Sequence, residues 1–187
     1  MTELAIMLDA DQSDVADDDA GQGLIALSDP DITMAEIEAV DRVMRSAQLS
    51  SGPLVEEFEH AFASYVGRRY AIAVPSGTIG LLLALKAYGI GADQEVIASS
   101  YSFRETMHAI EIAGAIPVFA DIDYWAGTLA PDKVEVRITE NTRAIVISNT
   151  NGQPAAWTEF RAIATKHNVL LIEDSTEAIG SRYKGEL

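Results

Sequence analysis

The chain has 187 residues, of which 48% are hydrophobic, and this is enough for one domain with a buried core rather than a disordered or fibrous protein. The formal net charge of −16 argues against a nucleic-acid binder, because neutralising phosphates requires a concentrated basic face. The acidity is uneven, since twelve of the 29 acidic residues lie within residues 1–41, where there is no Lys or Arg.

The chain contains no cysteine, which excludes disulfides, thiolate nucleophiles and cysteine metal sites. Its N-terminus lacks a basic signal-sequence region, and no apolar run is long enough to span a membrane. We therefore expect a soluble cytoplasmic protein with no metal site and no membrane or nucleic-acid partner.

Residues 1–23 are acidic and poor in aromatic residues, and we predict a flexible, solvated tail there rather than a dedicated binding arm.

Two amphipathic helices are predicted after the tail. The first begins at Thr33, because Thr33 and Glu36 have the spacing of a capping box. Its apolar stripe has helical period and consists of Ile37, Val40, Val43 and Met44. The second begins at Pro53, a favourable first-turn residue, and stops at Gly67.

From residue 70 onward, short apolar runs alternate with longer helical patterns. Strands are predicted at residues 70–74, 95–98, 116–119, 144–148 and 169–172. Helices are predicted at residues 78–88, 105–113, 131–138 and 155–167. This alternation predicts an α/β fold with a mostly parallel sheet flanked by helices. Ligands of such folds bind beyond the carboxyl ends of the strands, so the residues that follow the strands are the candidates for a site.

A possible phosphate site follows the first predicted strand, at Pro75-Ser76-Gly77-Thr78. Free N–H groups at the start of a helix, an unhindered glycine and the hydroxyl of Thr78 could hold an anion. The same residues also make an ordinary helix start, and neither interpretation is favoured on this segment alone. No Walker loop and no G-x-G-x-x-G motif are present.

Two other strand ends carry candidate residues. The segment 99–105 contains aromatic side chains that could stack on a planar ligand, although a core position is the alternative. The segment 173–177 places acids after an apolar strand, where a catalytic carboxylate or a turn cap could lie. An anion cradle, an aromatic ring and a carboxylate at one sheet edge are what pyridoxal phosphate (PLP) needs, because its phosphate must be anchored, its ring held and its pyridine nitrogen kept protonated.

Several motifs in a fixed order extend this interpretation. They are Gly52-Pro53, Pro75-Ser76-Gly77-Thr78, Gly114-Ala115-Ile116-Pro117-Val118-Phe119, Gly152-Gln153-Pro154, Ile172-Glu173-Asp174 and Tyr183-Lys184-Gly185. With these motifs the chain resembles the N-terminal half of the DegT-type sugar aminotransferases, a branch of the fold-type I PLP enzymes. The resemblance implies that residues 24–187 form an incomplete large domain of a PLP-dependent transferase.

The resemblance also assigns roles to single residues. It implies that Gly77 and Thr78 hold the cofactor phosphate, that Phe103 stacks on the ring, and that Asp174 pairs with the pyridine nitrogen. Glu177 departs from the family, which usually has Gln or His there near the phenolic oxygen of the cofactor, and a charged carboxylate would repel that oxygen. The segment 149–151 replaces a family stretch that usually carries His and an aromatic residue. We therefore expect an altered cofactor affinity or substrate range.

The lysine that forms the Schiff base is the largest difference from the family. It belongs to a Ser-Phe-x-x-x-Lys segment that would follow residue 187, and transamination needs its amine. None of the four lysines present, Lys86, Lys133, Lys166 and Lys184, matches it. The resemblance therefore implies a second polypeptide that carries the C-terminal half and this lysine. A truncated gene and a noncatalytic relic of the fold are the alternatives.

The function implied by the resemblance is that of the cofactor-binding half of a PLP-dependent aminotransferase. Its substrates would be a keto-sugar, most simply a sugar nucleotide, and an amino donor such as glutamate. A noncatalytic partner-binding or ligand-binding relic and half of a PLP-dependent sugar dehydratase are alternatives. Because fold-type I enzymes build their active sites at dimer interfaces, we expect a homo-oligomer or hetero-oligomer by analogy.

Overall fold

The computed structural model describes residues 29–187. The chain divides into two compact units, of which the second begins at Ser51. The predicted tail at residues 1–23, and the domain boundary predicted after it, lie outside the described residues.

The first unit contains helix α1 (Met34–Met44), which begins at the predicted capping box. The hydroxyl oxygen of Thr33 accepts the N–H of Ala35 at 3.2 Å, and the Glu36 carboxylate accepts the N–H of Thr33 at 2.7 Å. Hydrogen bonds from the side chain and then the backbone of Thr33 lower the pKa of Glu36. The start of α1 therefore follows from local chemistry, because these side chains satisfy N–H groups that a helix leaves free.

The second unit is a four-stranded parallel sheet with helices around it. Its elements in chain order are α2 (Pro53–Tyr65), α3 (Gly77–Ala87), β1 (Glu95–Ser99), α4 (Glu105–Ile112), β2 (Ile116–Ala120), α5 (Pro131–Glu135), β3 (Thr142–Ser148), a 3₁₀ turn (Thr150–Gly152), α6 (Trp157–His167) and β4 (Leu170–Asp174). The strand order is β2-β1-β3-β4, and every pair is parallel. The predicted α/β class with a mostly parallel sheet is confirmed.

Apolar side chains cover both faces of the sheet. One face packs against α5 and α6 through a cluster that includes Ile97, Val134, Ile145, Ile147, Trp157 and Phe160. The other face packs against α3 and α4 through a cluster that includes Leu85, Val96, Ile110, Ala144 and Val146. Burial on two faces explains why these strands are continuous apolar runs in the sequence.

Strand β4 forms one edge of the sheet as far as residues 29–187 are concerned. Its neighbour there is β3, with a regular register from Ala144 opposite Leu170 to Ser148 opposite Asp174. Helix α6 leads into it through Asn168, which has a left-handed backbone with φ of 53° and lets the chain turn directly into the strand. The carboxyl end of β4 therefore lies at the same sheet edge as that of β3.

The prediction of a strand at residues 70–74 is wrong for the structure as described. The segment is irregular, and no described strand lies alongside it to form a ladder. The N–H of Ala73 donates instead to the Glu59 carboxylate at 2.6 Å. The side chains of Tyr70 and Ile72 are 71% and 78% exposed. An apolar pattern is thus present, but the paired neighbour that defines a strand is not.

The other predicted elements form, with shifted ends. The largest shift is in α5, which ends at Glu135 instead of residue 138. Between residues 29 and 187 no helix is both long and apolar enough to cross a membrane. The same residues contain no group of acidic and histidine side chains arranged to hold a metal ion.

Candidate functional site

A cleft of about 760 Å³ lies at the carboxyl ends of β1, β3 and β4. Its walls come from the start of α3, the segment that leads into α4, the turn after β3 and the acidic segment after β4. All five site residues proposed from the sequence line it, namely Gly77, Thr78, Phe103, Asp174 and Glu177. The structure brings these residues together, and their individual roles remain predictions.

The start of α3 offers free hydrogen-bond donors to the cleft. Ser76 caps the helix, because its Oγ accepts the N–H of Ile79 at 3.3 Å and its carbonyl accepts the N–H of Gly80 at 2.9 Å. Within the described part of the chain, the N–H groups of Gly77 and Thr78 have no such acceptor. A Cβ atom placed on Gly77 would meet nothing within 4 Å, so a ligand can approach the backbone there. These donors suit an anion such as phosphate.

Asp174 is held at the end of β4 by neutral donors. Its Oδ1 accepts the N–H and the hydroxyl of Thr176 at 3.2 and 2.7 Å, and its Oδ2 accepts the hydroxyl of Ser148 at 3.2 Å. These bonds orient the carboxylate without neutralising it. It can therefore pair with a cation, such as a protonated ring nitrogen. Ser148 was missed in the sequence analysis, although it directly ends an apolar strand.

Two aromatic side chains face the cleft from the turn between β1 and α4. Phe103 is 73% exposed and Tyr101 is 53% exposed, so neither is a core residue. Ser99 orders this turn, because its Oγ accepts the N–H of Tyr101 at 2.9 Å and its carbonyl accepts the hydroxyl of Ser102 at 3.0 Å. The turn thus leaves an aromatic face available to a planar ligand.

Asn149 joins three segments beneath the cleft. It is 5% exposed, and its Nδ2 donates to the Glu173 carboxylate and to the Ser175 hydroxyl, both at 2.8 Å. Its Oδ1 accepts the N–H of Ala155 at 2.9 Å. The side-chain amide therefore ties the end of β3 to the end of β4 and to the residues before α6. These internal hydrogen bonds occupy the polar atoms of the Asn149 side chain.

Glu177 belongs to a loop that is fastened at several points. Its Oε2 accepts the N–H of Asn151 at 2.9 Å. Further along, the hydroxyl of Ser181 donates to the carbonyl of Gly152 at 2.8 Å, and the hydroxyl of Tyr183 donates to Thr158 Oγ1 at 3.0 Å. The loop after β4 is thus attached both to the turn after β3 and to α6. The position of Glu177 relative to a cofactor stays a prediction.

The cleft is acidic. Four carboxylates line it, those of Glu105, Glu173, Asp174 and Glu177, whereas none of the lining residues from the described part of the chain is Lys, Arg or His. Arg104 lies outside the lining but pairs with one of these carboxylates, that of Glu105, at 3.0 Å.

Glu105 was not foreseen as a cleft residue. Its Oε1 accepts Arg104 Nε at 3.0 Å, while its Oε2 is buried and has no hydrogen-bond partner among the described residues. Burial raises the pKa of Glu105, but hydrogen bonds from Arg104 and from its own backbone, together with the charges of Arg104 and His108, lower that pKa overall. The group therefore favours its charged form in the cleft.

The four lysines of the chain lie outside the cleft lining. Lys86 Nζ donates to the carbonyl of Ala113 at 2.6 Å. Lys133 contacts Asp132 at 3.1 Å, and Lys166 contacts Glu135 at 2.7 Å. Lys184 Nζ donates to the hydroxyl oxygen of Thr158 at 2.8 Å. None is placed to act as a Schiff-base residue in this cleft.

Comparisons with known proteins agree with the geometry. The model of the DegT/DnrJ/EryC1/StrS aminotransferase family matches residues 30–187. The spore coat polysaccharide biosynthesis protein SpsC of Bacillus subtilis (strain 168) is 41% identical over 155 residues, which are 83% of this chain and 40% of SpsC.

Solved structures show the same relationship. DesV of S. venezuelae is 37% identical with a TM-score of 0.79, over 82% of this chain and 42% of DesV. GDP-4-keto-6-deoxymannose-3-dehydratase, solved with a trapped PLP-glutamate geminal diamine, is 25% identical with a TM-score of 0.82, over 88% of this chain and 44% of the dehydratase. The chain spans less than half the length of each of these relatives. Because the family model matches most of its residues, the chain belongs to the DegT/DnrJ/EryC1/StrS aminotransferase family.

Proposed function

We propose that this chain is the cofactor-holding half of a PLP-dependent aminotransferase that acts on a keto-sugar, and that a second polypeptide supplies the Schiff-base lysine. The observation that carries the proposal is the meeting of Gly77, Thr78, Phe103 and Asp174 in one cleft. A nucleotide-linked sugar and glutamate as amino donor are supported by the dehydratase, whose name contains a GDP-linked keto-sugar and whose structure contains PLP and glutamate.

The residues of the cleft fit PLP. The free N–H groups of Gly77 and Thr78 and the Thr78 hydroxyl bind the phosphate at the positive end of α3. Phe103 packs against a face of the ring. Asp174 holds the proton on the ring nitrogen, while Ser148 keeps the carboxylate in position. When bound, PLP supplies an electron sink for the substrate carbon that loses a proton.

The need for a second polypeptide follows from the proton transfers. Moving a proton between carbon atoms needs a basic group beside them, and the cleft lining contains no lysine from this chain. The relatives are more than twice as long as the segment that this chain matches. We propose a hetero-oligomer in which the lysine-bearing half completes the cleft. A cytoplasmic location stays a prediction from the sequence.

A sugar dehydratase half is the second candidate. It is favoured by the TM-score of 0.82 with GDP-4-keto-6-deoxymannose-3-dehydratase. The two functions differ at the residue that the complementing polypeptide brings to the cleft, where a lysine indicates an aminotransferase and a histidine indicates a dehydratase. Sequencing that polypeptide separates the two candidates.

The first test is the affinity of the chain alone for PLP, measured by equilibrium dialysis. We expect Asp174→Asn to weaken binding by about ten- to a hundredfold, because a hydrogen bond to a charged group contributes roughly 1.5–3 kcal/mol and about 1.4 kcal/mol is a factor of ten. Asp132→Asn is the matched control, since that carboxylate is exposed on α5. Equal affinity of Asp174→Asn and wild type rules out the role of Asp174. A wild-type chain that binds PLP no better than inorganic phosphate favours the noncatalytic alternative.

A further inference from the structure

One side of the cleft is formed by the turn after β3 and the loop after β4. Three of the lining residues there are Thr150, Asn151 and Glu177, and we call these three the polar wall. Asn151 has a left-handed backbone with φ of 54° and ψ of 32°, and its N–H donates to Glu177 Oε2 at 2.9 Å. The polar wall is therefore built from two segments that are distant in sequence and bonded to each other.

The side chain of Asn151 is available to a ligand. The residue is exposed, and within residues 29–187 its side-chain amide takes part in no hydrogen bond. The side chain of Asn149 differs, because its Nδ2 and Oδ1 are both bonded inside the protein. An amide without an internal partner offers two donor hydrogens and an acceptor oxygen. The segment 149–151, for which we expect an altered substrate range, thus contributes one buried amide and one exposed amide.

The chemistry of the polar wall suits hydroxyl groups. A sugar hydroxyl both donates and accepts, and the Asn151 amide can match it in either direction. Glu177 can also accept a hydroxyl through Oε1, which is not the oxygen bonded to Asn151. A phosphate group offers mainly acceptor oxygens and carries negative charge, so the Glu177 carboxylate repels it. The polar wall therefore favours the neutral, hydroxyl-bearing part of a substrate over its phosphates.

We propose that Asn151 is a specificity-determining residue, whose side-chain amide hydrogen-bonds a hydroxyl of the sugar substrate. The inference deepens the proposed function and rests on it, because the sugar substrate is taken from there. Asn151 meets the hydroxyl-bearing part of the substrate, whereas Gly77 and Thr78 meet the phosphate of the cofactor at another side of the same cleft. The two kinds of polar group are thus bound by different segments.

Two asparagines with the same backbone conformation provide a matched pair of variants. Asn168, at the end of α6, has φ of 53°, is exposed like Asn151 and does not belong to the cleft lining. Glycine adopts the left-handed conformation without strain, so Asn151→Gly and Asn168→Gly each remove one side chain and leave the backbone as it is. Urea unfolding of the two variants checks that both are folded.

The measurement isolates the contribution of the sugar to binding. The probes are GDP-mannose, UDP-glucose and dTDP-glucose, each compared with its own nucleoside diphosphate by titration calorimetry. The full chain is saturated with pyridoxamine phosphate, the amine form of the cofactor that a keto-sugar meets. We expect the wild type to bind at least one nucleotide sugar about three- to tenfold more tightly than its nucleoside diphosphate, which is the contribution of one neutral hydrogen bond. Asn151→Gly should lose this preference, and Asn168→Gly should keep it.

The other outcomes overturn the inference. A preference that survives in Asn151→Gly does so, and so does a wild-type chain that prefers none of the three nucleotide sugars. Loss of the preference in both variants also overturns it, because Asn168 does not line the cleft. The proposed function is judged separately, by the affinity of the wild-type chain for PLP. A chain that binds PLP and shows no sugar preference refutes the role of Asn151 alone.

Discussion

Strands β3 and β4 are parallel neighbours with similarly apolar sequences, yet they are buried to different degrees. Residues 144–147 of β3 are buried, because β3 lies between β1 and β4. Residues 170–172 of β4 are half-exposed, because β3 alone flanks them among residues 29–187. The apolar character of a strand is set by its own sequence, whereas its burial depends on how many neighbouring strands it has. The cleft lies across this boundary, with Ser148 on the enclosed strand and Asp174 on the open one.

The largest effect on stability is expected for a truncation in the buried strand β3, and comparing it with the same kind of truncation in β4 tests the difference in burial. Ile145→Ala in β3 should lower the free energy of unfolding by about 2–5 kcal/mol, because it leaves a cavity in a fully buried site. Leu171→Ala in β4 should cost clearly less, since its side chain is already partly in water. Urea unfolding measures both variants. Equal losses would show that the edge of β4 is enclosed in solution.

A smaller effect is expected at the polar link between the two strands. Asn149→Ala removes the acceptor of the Ala155 N–H and the donor to Glu173, and a buried group left without its partner costs about 1–3 kcal/mol. Gln153→Ala is the control, because its side chain is exposed and, among residues 29–187, its amide donates only to the carbonyl of Pro154. Urea midpoints that fall by the same amount in both variants would contradict the role of Asn149.

The smallest effect on stability is expected at the ion pairs between α5 and α6, the helix that leads into β4. Glu135 of α5 contacts Lys166 at 2.7 Å and His167 at 3.1 Å on α6, and these hydrogen bonds lower the pKa of Glu135 below its ordinary 4.5. Because the folded pKa is the lower one, the interaction stabilises the fold above pH 4.5 and is lost as the pH falls through the folded value.

The measurement compares Glu135→Gln with wild type by urea unfolding at neutral pH and well below pH 4.5. The difference should be small at neutral pH, since the ion pair is exposed, and it should shrink in acid. A difference that is unchanged by pH would mean that the Glu135 charge contributes nothing to the contact between α5 and α6.

The sheet was predictable from sequence where both faces of a strand are buried. The apolar runs of β1 and β3 are unambiguous, because helices cover the sheet on two sides. The run of β4 is equally apolar, although residues 170–172 are half-exposed. The segment 70–74 has a comparable pattern but no described strand beside it. A local pattern reports which residues could pair, and it contains no information on whether a neighbour is present.

The candidate site was predictable to the extent that its residues follow strands. Asp174 was found because ligands of parallel sheets bind at strand ends. Gly77 was found by the same rule, but through a strand predicted at residues 70–74 that the structure does not form. Ser148 satisfies the same rule, but a serine at a strand end is too common to be distinctive. Glu105 was missed because it starts a helix, and only the folded arrangement shows its unpartnered oxygen in the cleft wall. The hydrogen bonds of Asn149 depend in the same way on contacts between distant segments.

The loop that carries Glu177 is attached at Asn151, at Gly152 and at Thr158. A loop attached at three points has few alternative conformations. The entropy cost of ordering it is therefore incurred when the chain folds, and not when a ligand binds. A ligand that contacts this wall therefore meets a preorganised surface and does not have to order it. Discrimination between ligands at this side of the cleft is accordingly set by the shape of the free protein, before any ligand arrives.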